Sequence, residues 1–255
     1  MQVFLFDETF DGLLTCVFEA YRQKCFPEKL LPYNAVLPLF TSHATNIQTD
    51  THKATRVWHV LHDKLSDQAC YQLLCAWFSE DADCASLVFR VIQKVVDNDM
   101  SVEGNLSDED ILALWQLAKK VSKEQLHLIQ FVRFQKTVDD IYFAPVNPVY
   151  NALPLTLSHF GDRFADQKWI IYDMGRGYGY FYDLNSITEI TLNWDEHFTQ
   201  GQPKASALAD DEKLLQTMWQ KYFKALTIQE RLNPRLHRQH MPRRFWRYLT
   251  EKQSL

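Results

Sequence analysis

The chain has 255 residues, 46% hydrophobic, 14% aromatic and 23% charged, a globular composition that excludes a disordered or fibrous protein. Only seven glycines are present, and three of them crowd together at Gly175, Gly177 and Gly179, which argues against the nucleotide-binding folds that open a helix with a Gly-rich phosphate loop. The formal net charge of -5 is uneven: residues 221–255 carry nine Lys/Arg and two acids, a net of +7, leaving 18 basic and 30 acidic residues, a net of -12, in residues 1–220. A basic end of this kind suits a polyanion, although it suits equally a positive face docked on an acidic surface.

In chain order, Gln2–Phe6 reads as a strand, Asp7–Thr9 as a turn, and Phe10, Leu13, Leu14, Val17, Phe18 and Tyr21 as one helix face. Pro27, Pro32 and Pro38 break the next stretch into loops or short turns. Three helices are expected between His52 and Val96, connected near Ser66 and Asp81. Ser107 with Asp110 resembles a helix N-cap, ahead of the stripe Ile111, Leu114, Trp115 and Ala118. Phe131–Gln135 with Asp140–Ala144 then alternates as a hairpin, and Trp169–Met174 with Tyr178–Leu184 as a second one around the glycine cluster. A helix is expected over Leu153–Phe164 and a further strand over Ile187–Leu192. After Gln202 the pattern is helical, broken at Asn233-Pro234 and Met241-Pro242 into short pieces.

The five cysteines, Cys16, Cys25, Cys70, Cys75 and Cys84, include no C-x-x-C pair, so no zinc or cluster site and no cofactor is expected, only reduced thiols. His52, His59 and His62 share one side of a helix near Asp63, but a three-ligand zinc site normally draws on more than one element. Met1–Asp7 has neither the basic flank nor the long apolar run of a signal peptide, and no apolar stretch reaches the about 18 residues of a span. The expectation is a cytoplasmic protein without membrane contact.

Chemistry concentrates in two places. In the basic end, Arg231, Arg235, Arg238, Arg243, Arg244 and Arg247 are interleaved with Phe245, Trp246 and Tyr248; guanidinium groups pair with phosphate and aromatic faces stack on unpaired bases. The aromatics equally suit anchoring of a terminal helix in the core. In the centre, Arg133 lies in a predicted strand, His159 and Arg163 share a helix face, and Asp173 and Arg176 flank the second hairpin turn. Packed together, they would form an anion pocket (Arg133, Arg163, Arg176) with His159 and Asp173 as general acid and base, or else a buried ion-pair network. Tyr178, Tyr180 and Tyr182 alternate onto one sheet face, either to stack bases or to pack across strands.

The run Arg231-Leu232-Asn233-Pro234-Arg235-Leu236, followed by Met241-Pro242-Arg243-Arg244-Phe245-Trp246-Arg247-Tyr248-Leu249-Thr250-Glu251, resembles the C-terminal signature of a bacterial family called "probable DNA metabolism protein", domain-of-unknown-function family 4130. Phe10-Asp11-Gly12-Leu13-Leu14 with Phe18-Glu19-Ala20-Tyr21 resembles its opening. Phe131-Val132-Arg133-Phe134, His159-Phe160 with Arg163-Phe164, and Trp169-Ile170-Ile171-Tyr172-Asp173 with Arg176 resemble its central blocks. The resemblance implies DNA as a partner and a radical-SAM protein encoded nearby, and related chains carry a fused uracil-DNA-glycosylase-type domain absent here. It transfers no catalytic residues.

The expected fold is α+β in a single domain: a mainly helical part over 1–128, a small antiparallel sheet of two hairpins with a packed helix over 129–202, and a helical basic segment over 203–255. The expected function is DNA binding in repair or modification with a radical-SAM partner. The alternatives are an enzyme acting on a nucleotide or nucleic acid through the His/Asp/Arg pocket, and an assembly adaptor without nucleic-acid contact.

Overall fold

The computed structural model describes residues 1–98, 101–192, 198–199, 202–203 and 207–252. The chain divides into two compact units, Met1–Ser122 and Lys123–Leu255.

In unit one, β1 (Gln2–Phe6) leads through a turn to α1 (Phe10–Gln23). Thr9 caps this helix by accepting the Gly12 N–H, and Lys24 ends it in the left-handed conformation, which leaves the last carbonyls partnered. Two strands that the prolines hide then flank β1: β2 (Lys29–Pro32) and β3 (His43–Asn46) form a parallel sheet in the order β2-β1-β3. The stretch expected as loop is therefore part of a sheet. Pro32 is tolerated because it ends an edge strand, where a missing N–H breaks no central ladder. The N–H of the following Tyr33 still reaches the Phe6 carbonyl, at 3.1 Å.

The three helices expected next are α2 (Thr51–Lys64), α3 (Asp67–Trp77) and α4 (Cys84–Asp97). Ser66 caps α3 by accepting the Ala69 N–H, so the connection falls where its sequence signal lies. For α5 (Glu109–Phe131) the cap is not Ser107 but Asp108, whose Oδ1 accepts the N–H groups of Asp110 and Ile111. Lys94 binds both Asp108 and Asp110, and Arg90 binds Asp110, tying the start of α5 to α4. Phe4, Phe6, Leu13, Leu14, Leu61, Leu73, Phe89 and Ile92 fill the core of this unit.

Unit two begins within α5, whose stripe runs on through Leu128 to Phe131, so Phe131–Phe134 does not form the expected strand. The sheet is five-stranded, in the order β4-β5-β6-β7-β8, from β4 (Gln135–Lys136), β5 (Tyr142–Val146), β6 (Trp169–Asp173), β7 (Tyr178–Tyr182) and β8 (Ile187–Ile190). It is not purely antiparallel. β5 and β6 run parallel, joined by a crossover through a 3-10 turn, Pro154–Thr156, and α6 (Leu157–Arg163). The first expected hairpin is present as the short antiparallel pair of β4 with β5, Gln135 aligned on Phe143 and Lys136 on Tyr142, and the crossover through α6 brings the chain back to lay β6 beside β5 in the same direction. The second hairpin, β6 with β7, is as expected, with Gly177 in its turn at φ +73°. Trp169, Ile171, Tyr172, Phe143 and Phe160 are buried around it.

A two-residue pair, β9 (Phe198–Thr199) and β10 (Gln202–Pro203), precedes the C-terminal helices. These are α7 (Glu212–Leu226), α8 (Pro234–His240) and α9 (Arg243–Trp246), with 3-10 turns at Gln229–Arg231 and Thr250–Lys252. The end of the chain is thus a set of short helices, as its prolines require. No helix among the described residues is long and apolar enough to cross a membrane.

Backbone comes close at Gly179, where an added Cβ would lie 2.5 Å from the Ile171 carbonyl oxygen and 2.8 Å from the Tyr172 Cα. Gly179→Ala should therefore lower stability by about 1–3 kcal/mol in urea unfolding. Gly104→Ala, where open space surrounds the added carbon, should change it little.

Candidate functional site

Asp173 closes β6 with its side chain fully buried. Its Oδ1 accepts the N–H groups of Gly175 at 2.9 Å and Arg176 at 3.2 Å, and its Oδ2 accepts the Arg176 guanidinium at 2.9 Å. Arg176 also donates to the carbonyls of Pro148 and Val149, fastening the hairpin turn to the loop after β5. The Val149 N–H in turn donates to Glu124 on α5, at 2.8 Å. The second oxygen of the buried Glu124 holds the Arg244 guanidinium of α9. Two charged pairs are thus linked through two residues of loop backbone.

One turn beyond Glu124 on α5 lies His127, also buried, with Nδ1 at 3.5 Å from the Glu124 carboxylate and no hydrogen bond. Its ring is wedged between Phe131 and Phe245. Burial holds this imidazole below its ordinary range, with Arg244 and Lys123 acting in the same direction and the Glu124 carboxylate opposing. Glu124 and His127 were not singled out in the sequence, yet a signal was there. The buried stripe of α5 runs Ile111, Leu114, Ala118, Val121 and Leu128, and Glu124 and His127 interrupt it with polar groups at buried positions, each of which must find a partner or carry a cost.

The five central residues separate. Asp173 and Arg176 meet. Arg133 belongs to another group: its guanidinium binds the buried Glu251 at 2.9 Å, and Glu251 also accepts the Trp219 indole N–H at 2.9 Å. Further bonds from Arg133 to the carbonyls of Gln130 and Val132 stitch the end of α5 to the C-terminal turn. His159 and Arg163 are exposed on α6, the imidazole edge-on to Phe160 and the guanidinium 5.4 Å from the Phe164 ring. In the tyrosine row, Tyr178 donates to Asn151, Tyr180 to Glu189 and Tyr182 to the carbonyls of Ala165 and Leu184, and Tyr182 stacks on Trp169.

The basic end divides in the same way. Phe245 is buried against His127 and Phe131, and Tyr248 and Leu249 are buried with it. Arg244 is spent on Glu124, Arg247 donates to the Tyr248 hydroxyl, and Arg243 lies over Trp246. Arg231, Arg235 and Arg238 differ: all three are exposed, and among the described residues no ion pair or hydrogen bond engages their side chains. α8, which carries two of them, is capped by Asn233 through the Leu236 N–H and held by His237 stacking on Trp246 at 5.6 Å. The helix is thereby fixed by its inner face while Arg235 and Arg238 point to solvent.

Four of the five thiols are buried and all five are free; burial pushes Cys16 up to about 12 and Cys84 up to about 11. His52 and His59 are exposed, and among the described residues no group of three or more His, Cys, Asp or Glu side chains is placed to hold a metal ion.

A family model described as "Domain of unknown function (DUF4130)" matches residues 82–251, and the chain belongs to that family. The charged groups of unit two described above, from Glu124 to Glu251, fall within the match; the opening signature at Phe10–Leu14 and Phe18–Tyr21 falls outside it. No curated protein matches the chain. Among solved structures, the pGpG-specific phosphodiesterase PggH from Vibrio cholerae is similar at a TM-score of 0.29 and 10% identity, over 88% of this chain and 99% of that one.

The two settings of charge make contrasting demands on stability. Asp173→Ala would leave Arg176 and two turn N–H groups without their partner and should cost about 3–5 kcal/mol, whereas Arg163→Ala removes an exposed cation–π contact and should cost about 1 kcal/mol or less. Thermal and urea unfolding of the two variants measures the difference. For His127 the folded value lies below the unfolded one of about 6.5, so the unfolded chain binds more protons between the two. The stability that His127 contributes is complete above about pH 6.5 and is lost as pH falls through that window. Urea unfolding across the acidic range should show this slope, and His127→Leu should flatten it.

Proposed function

We infer that unit two binds nucleic acid through the arginines of its C-terminal helices, in DNA repair or modification alongside the radical-SAM protein that the family resemblance implies. The observation that carries this reading is the division among the six arginines. A guanidinium placed only for stability finds a carboxylate or a carbonyl, as Arg133, Arg176 and Arg244 do. Arg231, Arg235 and Arg238 instead stand open on a segment whose other side chains fix it in place, an arrangement that suits phosphate contact. The surrounding charge supports it, since the nine Lys/Arg of residues 221–255 face only two acids of their own segment.

Such binding rests on counterion release and is sensitive to salt. The arginines of the anchor, Arg244 above all, serve the fold first, so a variant in them confounds binding with folding. The informative variant is the triple change Arg231→Ala, Arg235→Ala and Arg238→Ala, which touches no described pair.

Affinity for a short DNA duplex and for its single strand, titrated at several salt concentrations, should fall steeply with salt for the wild type. In the triple variant the slope of log K against log salt should shrink by about 2–3 units, with the melting temperature unchanged. Salt-independent binding, or an unaltered slope in the variant, would overturn the reading.

A further inference from the structure

α7 is built the wrong way round for a helix covering its own core. An amphipathic helix ordinarily turns its apolar stripe inward and its polar face to water. Here much of the inward side is polar: Glu212 is buried and accepts the Lys136 N–H at 3.0 Å, Gln216 donates to Glu212, and Gln220 donates to the Thr250 carbonyl at 3.0 Å, with the half-buried Phe223 among them under Lys252. The flank beside it carries Leu214, Leu215, Met218, Tyr222 and Leu226 at helical spacing, and they are 62%, 49%, 57%, 56% and 61% exposed. Trp219 stands at the border, 41% exposed, its indole N–H held by Glu251. The helix is therefore fastened largely by hydrogen bonds on one face and leaves an apolar stripe open on the flank beside it, a use of apolar surface that marks an interaction site.

We propose that this stripe of α7 packs antiparallel against the same helix of a second copy of the chain, forming a two-fold dimer. The charge along the segment is the first reason. Asp211 stands exposed at its start on the line of the stripe, and Lys221 stands exposed in its second half at the border of the stripe beside Leu214 and Met218. Reversing one copy against the other brings the acidic end of each beside the basic end of its mate, with the helix dipoles also opposed. The same layout disfavours other occupants. An anionic membrane or a nucleic-acid backbone lying along the stripe would meet the carboxylates of Asp210 and Asp211 at one end. Area is the second reason. Six half-exposed side chains of this size present on the order of 600 Å² per copy, close to the roughly 800 Å² per partner of a standard interface. The dimer uses none of Arg231, Arg235 or Arg238 and is independent of the nucleic-acid reading.

Sedimentation velocity on the full chain over a wide range of protein concentration tests it. The weight-average mass should climb from the 30.1 kDa of one chain towards twice that value. Met218→Glu, at the middle of the stripe, should hold the mass at that of one chain throughout while melting like wild type, since Met218 supports no core. Asp211→Lys and Lys221→Asp should each weaken the dimer by about tenfold, every change being felt twice across the two-fold axis, and their combination should regain affinity. A wild type that stays monomeric at all concentrations overturns the proposal, as does a dimer that Met218→Glu leaves intact. Failure of the combined charge swap to regain affinity overturns the antiparallel arrangement. A monomeric wild type that pellets with phosphatidylglycerol-containing vesicles, while Met218→Glu does not, assigns the stripe to a membrane surface instead.

Discussion

A carboxylate withdrawn from water must receive its hydrogen bonds from the fold, and in unit two Asp173 is where this requirement is met most fully. Its partners are two N–H groups of the turn it begins and the guanidinium of Arg176, which reaches on to two carbonyls of the loop after β5. That loop supplies the Val149 N–H to Glu124, and Glu124 holds Arg244. The ends of two neighbouring parallel strands, the last turns of α5 and the C-terminal segment are joined through one connected set of polar groups. In surroundings of low dielectric constant such a set is valuable only when every member is partnered. It therefore imposes one arrangement on elements whose apolar packing alone would tolerate several.

How much of this was legible follows from the length and period of each signal. α2, α3 and α4 carry several turns of apolar stripe and a serine or aspartate at their starts, so the sequence shows them clearly. β2 and β3 have only four residues each, lie among prolines and show no alternation, and what makes them strands is the neighbouring β1, which a local reading does not see. The parallel pairing of β5 with β6 is hidden for a related reason, since strand direction depends on the crossover between them and not on either strand's residues. At the site, Asp173 and Arg176 were legible together because they stand three positions apart at the start of a glycine-rich turn. Arg133 was not separable from them, because its partner Glu251 lies 118 positions away.

The two neighbouring arginines of α9 show the same limit at single-residue scale. Arg243 and Arg244 are chemically identical and adjacent, and only the rotation of a short helix decides that Arg244 meets a buried carboxylate while Arg243 lies on an indole face. The aromatics between the arginines anchor, as one of the two sequence readings held, with Phe245 in the core and Trp246 bracing α8 through His237. Anchoring and display are thereby given to different residues of one basic segment, so its charge and its attachment can vary independently.

In unit one, β1 is the middle strand of its sheet, with Leu5 aligned on Leu31 to one side and on Asn46 to the other. Within this unit β1 precedes both of its partners, so neither ladder can close until the chain has grown through β3 and both loops have been brought back. Until then the apolar run Val3–Phe6 has two unpaired edges. α1, whose hydrogen bonds are local, can form early beside it and shield one face of that strand while synthesis proceeds.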